Sequence, residues 1–173
     1  MPNWCDNSLY IEAPKEDIAA IKAAIAMQDS DEQGLLNHLR SQPEYGNNDD
    51  SGVLPDWYNW RVDNWGTKWE VHAEITGETE NSLYLHFDSA WSPPLEALRH
   101  WMEQSEDRIV DLRYIEWGMM FCGILTNDED LLYNIPDTVA GVEQLIPEEL
   151  DDTFGISDMV AQWEEEAKES EQA

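Results

Sequence analysis

Two ten-residue runs, "KWEVHAEITG" at 68–77 and "NSLYLHFDSA" at 81–90, each alternate apolar and polar side chains and stand only three residues apart, across "ETE". A period of two sends successive side chains to opposite faces of a strand, and so short a link makes the pair an antiparallel hairpin. Val71, Ala73 and Ile75 then share one face with Leu83, Leu85 and Phe87, while His72, Glu74, Tyr84, His86 and Asp88 fall on the other. Pairing about Thr79 sets His72 opposite His86, Glu74 opposite Tyr84 and Glu70 opposite Asp88.

The elements around this hairpin complete a pattern. Residues 3–12, "NWCDNSLYIE", alternate, with Leu9 and Ile11 on one face and Ser8, Tyr10 and Glu12 on the other. In "APKEDIAAIKAAIA", Ile18, Ile21 and Ile25 recur at helical spacing, and Pro14 suits the first turn. Residues 29–56 break up into turn chemistry, "PEYGNNDDSG", after a short helical stretch at Leu35, Leu36 and Leu39. "SPPLEALRHWMEQSED" begins a second helix, with Ser92 as N-cap and Leu95, Leu98 and Met102 as its apolar stripe. "RIVDLRYIEW" (108–117) and "MMFCGILTN" (119–127) are strands about a turn at Gly118. The order β-α-insertion-β-β-α-β is the split βαβ, or ferredoxin-like, pattern of an α+β protein, with one strand added to its antiparallel sheet. We therefore expect a ferredoxin-like domain at 1–127 with an insertion at 29–56, and an acidic, mainly helical extension at 128–173.

Charge is the strongest compositional signal: 38 acidic residues against 9 basic ones give −29 at pH 7. The extension alone holds fifteen acidic residues and one base, Lys168. Such a surface repels nucleic acid and anionic membranes and attracts cations and basic protein grooves. Two explanations remain open, general solubility or salt adaptation of the host and engagement of a basic partner. "MPNWCDNSLY" has no basic stretch leading into an apolar one, and no apolar run approaches the length of a membrane span. With only Cys5 and Cys122, too far apart for a disulfide framework or a metal motif, the expectation is a soluble cytoplasmic protein with reduced thiols.

"WYNWRVDNWGTKW" (57–69) admits two readings. Aromatics interleaved with Arg61 and Lys68 are how single-stranded nucleic acid is held, but the net charge opposes a polyanion. The second reading is a loop that its tryptophans fasten to one end of the sheet, with Gly66 allowing close approach and Trp91 as a partner. We adopt the second.

Four stretches carry a resemblance. "MPNWCDNSLYI", "WYNWRVDNWGTKW", "FDSAWSPPLEAL" and "LRYIEWGMMFCG", in this order over roughly residues 1–125, resemble the YubB-type ferredoxin-like family of phages and plasmids. The resemblance implies a ferredoxin-like fold and a mobile-element origin, and carries over no reaction and no catalytic residue. The 29–56 insertion and the segment after 128 depart from the family's pattern.

The sequence assembles no nucleophile elbow, Gly-rich phosphate loop or calcium loop; "DED" at 128–130 lacks the spacing of the last. Cys122, on an apolar strand, reads as a buried thiol. The expectation is a protein without enzymatic activity or cofactor, in which carboxylates on the sheet and the extension stand in for DNA phosphates. They would block a host nucleic-acid-binding defence protein with a basic groove, with no direct nucleic-acid or membrane binding. The densest charge lies at Asp128, Glu129 and Asp130, at Glu148, Glu149, Asp151 and Asp152, and at Glu164, Glu165 and Glu166. Two alternatives stand beside it: a metal-binding module or metal-dependent enzyme centred on His72 and His86, and a housekeeping acidic protein of a salt-adapted organism.

Overall fold

Alternation over 3–12 produces the central strand of the molecule. The computed structural model of the chain describes residues 3–28, 33–43 and 56–171. Its strands are β1 (Trp4–Glu12), β2 (Glu74–Glu78), β3 (Ser82–Ala90), β4 (Ile109–Glu116), β5 (Phe121–Thr126) and β6 (Asp130–Asn134). They form one antiparallel sheet in the order β2-β3-β1-β4-β5-β6. The helices are α1 (Lys15–Ile25), α2 (Leu35–Leu39), α3 (Asp56–Trp65), α4 (Leu95–Met102), α5 (Val139–Leu145), α6 (Glu148–Phe154) and α7 (Ile156–Glu171). The fold is a mixed α+β fold with an open sheet, and among the described residues no helix is long and apolar enough to cross a membrane.

Strand parity divides the sheet into two faces. Leu9, Ile11, Leu83, Leu85, Phe87, Leu112, Tyr114 and Leu125 point to the first, where Ile18, Ile21 and Ile25 of α1, the leucines of α2, Trp65 of α3 and Leu98 and Trp101 of α4 cover them. Each of these helices brings one apolar stripe to the sheet and leaves its polar side in water. On the second face, Ile115, Cys122 and Ile124 meet Val142, Leu150, Ile156 and Val160 of α5–α7 in a separate apolar cluster. Trp117 and Trp163 close it edge to face, with ring centroids 5.4 Å apart. Among the described residues this cover stops at β4, leaving Glu74, Tyr84, His86 and Asp88 of β2 and β3 exposed and Asp6, Ser8 and Tyr10 of β1 half-buried.

Several expectations change. The segment after 128 enters the sheet as β6 before turning helical, and its helices pack against the strands. Gly123 is needed for that pairing: a Cβ there would lie 2.4 Å from the Leu131 carbonyl and 2.3 Å from the Tyr114 hydroxyl. Ser92 is not the N-cap of α4; two prolines delay the helix to Leu95, Pro94 occupies the cap, and the Ser92 hydroxyl instead donates to the Gly66 carbonyl. Pro14 likewise stands at the cap position of α1.

The Trp-rich segment is helical over Asp56–Trp65, where a loop is expected. Trp65 is 0 % exposed, its indole N–H donates to the Arg40 carbonyl at 2.8 Å, and Trp60 meets it edge-on at 5.9 Å. Burial of one large ring with its only polar atom satisfied outweighs the poor helix propensity of the stretch. Only the following residues, from Gly66 on, form the loop that fastens to the sheet. Of the 29–56 insertion, residues 29–32 and 44–55 lie outside the described residues.

Candidate functional site

The open part of the second face is built by the same alternation that builds the core. Asp6, Ser8 and Tyr10 of β1 lie directly between Asp88, His86 and Tyr84 of β3 and Ile115, Arg113 and Asp111 of β4. Glu74 of β2 continues the row beyond His86. The result is an array with carboxylates at Asp6, Glu74, Asp88 and Asp111 and a pair of tyrosine rings, Tyr10 and Tyr84, 4.8 Å apart in the row that ends at Asp111. Ser8, Tyr10, Tyr84, Asp111 and Arg113 line a depression of about 290 Å³ in it.

Arg113 marks the border with the covered half. It pairs with Asp111, donates to the Glu149 carbonyl and the Thr153 hydroxyl, and stands 3.7 Å from the Glu149 carboxylate, so it ties α6 to the sheet. Asp6 lies at the same border, beside buried Ile115. Its Oδ1 is buried, makes no hydrogen bond and stands 3.5 Å from His86 Nδ1. Burial pushes the Asp6 carboxyl above the ordinary range; nearby His86 opposes that rise, and Asp88 across the strand reinforces it.

The expected His72–His86 pairing does not form. The turn is closed by the Thr79 N–H donating to the Ser82 carbonyl and is centred on Glu80–Asn81, beyond Thr79, so that even with a one-residue bulge between Ile75 and Gly77 it is Glu74 that faces His86, and His72 falls outside β2. Among the described residues no group of three or more His, Cys, Asp or Glu side chains is arranged to hold a metal ion. Cys5 and Cys122 are buried free thiols; burial raises both, Cys122 to about 12, which leaves neither as a nucleophile at neutral pH.

The ten acidic residues singled out in the extension divide into two groups. Four serve the fold: Asp130 pairs with Arg99, Glu149 with Arg113, Asp151 accepts from the Ser157 N–H and hydroxyl at the start of α7, and Glu164 accepts from the Val139 N–H at 3.0 Å. Asp128, Glu129, Glu148, Asp152, Glu165 and Glu166 are exposed. On α7, Ile156, Val160 and Trp163 face the sheet, whereas Asp158, Glu165, Glu166 and Glu169 face water. The outer side of this helix is a carboxylate ridge on an apolar footing.

Each of the nine basic side chains already has a partner within the chain. Lys15, Lys22, Arg99, Arg108, Arg113 and Lys168 pair with carboxylates. Arg40 donates to the Asn64 carbonyl, Arg61 donates to Gln42 and lies over the rings of Trp57 and Trp65, and Lys68 lies over Trp69. With 9 bases against 38 acids, the surplus carboxylate is displayed outward.

The sequence places Glu74, His86 and Asp88 on the polar face of the hairpin; Asp6, Asp111 and Arg113 join them only in the assembled sheet. Running the period of two back from Tyr10 to Asp6, and through 108–117, assigns these three to the face opposite the core. No protein-family model, no curated protein and no solved structure matches this chain.

Proposed function

We propose that the protein is a non-enzymatic, acidic interaction protein of a phage or plasmid, acting in the cytoplasm, that occupies the basic groove of a host nucleic-acid-binding defence protein in place of DNA. The observation that carries this reading is the charge geometry. Carboxylates stand on two supports, the open sheet face and the outer side of α7, while each base already has a partner within the chain and the acids outnumber the bases 38 to 9. A flexible acidic tail must be ordered on binding; charges fixed by strands and a packed helix are ordered beforehand, and that lowers the entropic cost of association. Charge of one sign also speeds encounter with a basic partner and discourages encounter with DNA.

The strand order β2-β3-β1-β4, with α1 joining two strands that have β3 between them, supports reading the first part of the chain as ferredoxin-like. On that reading β5 and β6 extend the sheet, and α5–α7 cover the extension.

The test is displacement. Host lysate is bound to double-stranded DNA immobilised on cellulose at low salt, and the purified protein is passed over it. The reading expects release of a discrete host polypeptide that forms a complex with the protein. That complex should weaken as salt rises several-fold, since screening shortens to about 8 Å at physiological ionic strength. Release of nothing, retention of the protein itself on the DNA, or a complex indifferent to salt overturns it.

A further inference from the structure

One exposed feature is neither core nor carboxylate. Trp4, Trp69 and Trp91 are 52 %, 37 % and 44 % exposed, and they gather at the end of the sheet where β1 begins and β3 ends. Trp4 and Trp69 have ring centroids 6.0 Å apart, tilted by 43°. Lys68 lies against Trp69 and Trp91, its Nζ 4.0 Å from the centroid of the first and 5.8 Å from that of the second.

The backbone is held so that these rings meet. Trp91 sits at φ 73°, the left-handed region that a bulky side chain rarely adopts. Its N–H donates to the Asn3 carbonyl at 2.9 Å, which joins it to the start of β1. The buried Thr67 hydroxyl donates to the Ala90 carbonyl at 2.8 Å and the Ser92 hydroxyl to the Gly66 carbonyl, so the loop carrying Lys68 and Trp69 is fastened to the segment carrying Trp91. Gly66, at φ 89°, makes this approach possible: a Cβ there would lie 2.9 Å from the Pro93 carbonyl. Strained backbone that the surroundings hold in place is a mark of a site more often than of a surface left to chance.

Two indole rings against one ammonium group, with a third ring packed on one of them, are chemically a cation receptor, because the ring quadrupole attracts positive charge. Here the receptor is filled by the chain's own Lys68. The geometry points to this Trp4–Trp69–Trp91 cluster as an acceptor for a lysine or arginine side chain of the basic partner, with Lys68 as the resident cation that the partner's side chain replaces. The inference rests on the proposed engagement of a basic protein. The occupant follows from charge: a chain at −29 draws cationic groups to its surface, and the carboxylates of Asp6 and Asp88 lie one step along the same sheet face as Trp4. Stacking on Trp and pairing with carboxylate at one place is how an arginine becomes a binding hot spot.

The probes are tetramethylammonium and guanidinium, each against sodium at equal ionic strength, titrated into the full-length ¹⁵N-labelled protein while the indole N–H resonances are followed. The inference expects those of Trp4, Trp69 and Trp91 to shift saturably with both organic cations and not with sodium, and the others to stay in place. Lys68→Ala, which vacates the receptor, should tighten tetramethylammonium about two- to fivefold, the scale of one exposed cation–π contact. Trp69→Ala should abolish the response while the core indole of Trp65 keeps its native resonance, which shows that the fold is intact. Shifts of equal size with sodium, or an unchanged affinity in Lys68→Ala, overturn the inference. So does concentration-dependent self-association that Trp69→Ala removes without any cation response, because the cluster then serves a second copy of the chain. These readouts need no DNA-binding partner, so a failed displacement experiment and a failed receptor remain distinguishable.

Discussion

Strands β1, β3 and β4 present two faces that differ only by the parity of the residue. Leu9, Ile11, Leu83, Leu85, Phe87 and Leu112 on one are sealed beneath α1, α2 and α4. On the other, Asp6, Ser8, Tyr10, Tyr84, His86, Asp88 and Asp111 stand between solvent and a cover of helices that stops at β4. A single backbone therefore supplies a core that specifies the fold and, on its other side, a polar array that the core does not use. The covered face carries the energy of folding, and the open one carries charge at fixed spacing.

The most direct way to break this comparison is to truncate one ring on each face of β3. Phe87→Ala removes a buried side chain from the core and should cost about 3–5 kcal/mol in urea unfolding, whereas Tyr84→Ala loses little beyond its contact with Tyr10, about 0.5–1.5 kcal/mol. Equal losses would mean that the open face is structural after all. A smaller effect is expected at Glu70, which joins the β2 approach to α2 by accepting from the N–H groups of Leu36 and Asn37, both at 2.8 Å. Glu70→Ala leaves those helix-end donors without their acceptor and should lower stability by about 1–2 kcal/mol, measured by thermal unfolding.

The smallest effect sharpens the comparison through pH. Asp6 is raised above the ordinary carboxyl range by burial, with Asp88 adding to the rise and His86 opposing it. The folded state therefore keeps this proton to higher pH than the unfolded chain does. Its contribution to stability is present in full below the ordinary carboxyl pKa and is lost as pH rises through the raised one. Asp6→Asn should flatten that part of the stability–pH profile and leave the variant the more stable protein at neutral pH. An identical slope in variant and wild type contradicts the assignment.

Much of the scaffold was legible because its signals are local. Alternation at 3–12 and 81–90 and the spacing of Ile18, Ile21 and Ile25 each identify an element and its buried side. What was missed depends on tertiary contacts. Helix α3 is written in tryptophan, tyrosine and asparagine, poor helix formers, and is stabilised by Trp65 entering the core. Strand β6, "DLLYN", sits in an acidic run that reads as solvated, and it becomes a strand because β5 offers it an edge. The hairpin register differs because the turn closes between Thr79 and Ser82, centred on Glu80–Asn81 where alternation alone suggests Thr79, and the bulge at Ile75/Gly77 adds a one-residue shift that no local signal announces. The open face itself needed only the parity of β1, but which part of the second face would remain uncovered depended on where α5–α7 pack.

The central claim is that fixed carboxylates on the open face and α7 take the place of DNA phosphates. Its most direct test is the displacement assay repeated with two neutralised proteins, Asp6→Asn/Glu74→Gln/Asp88→Asn on the sheet and Glu165→Gln/Glu166→Gln/Glu169→Gln on α7, both checked for native unfolding. The account predicts that each releases the host polypeptide from DNA less effectively than the wild type and that combining all six changes abolishes release. Undiminished release by the sixfold variant, folded as the wild type is, would contradict it.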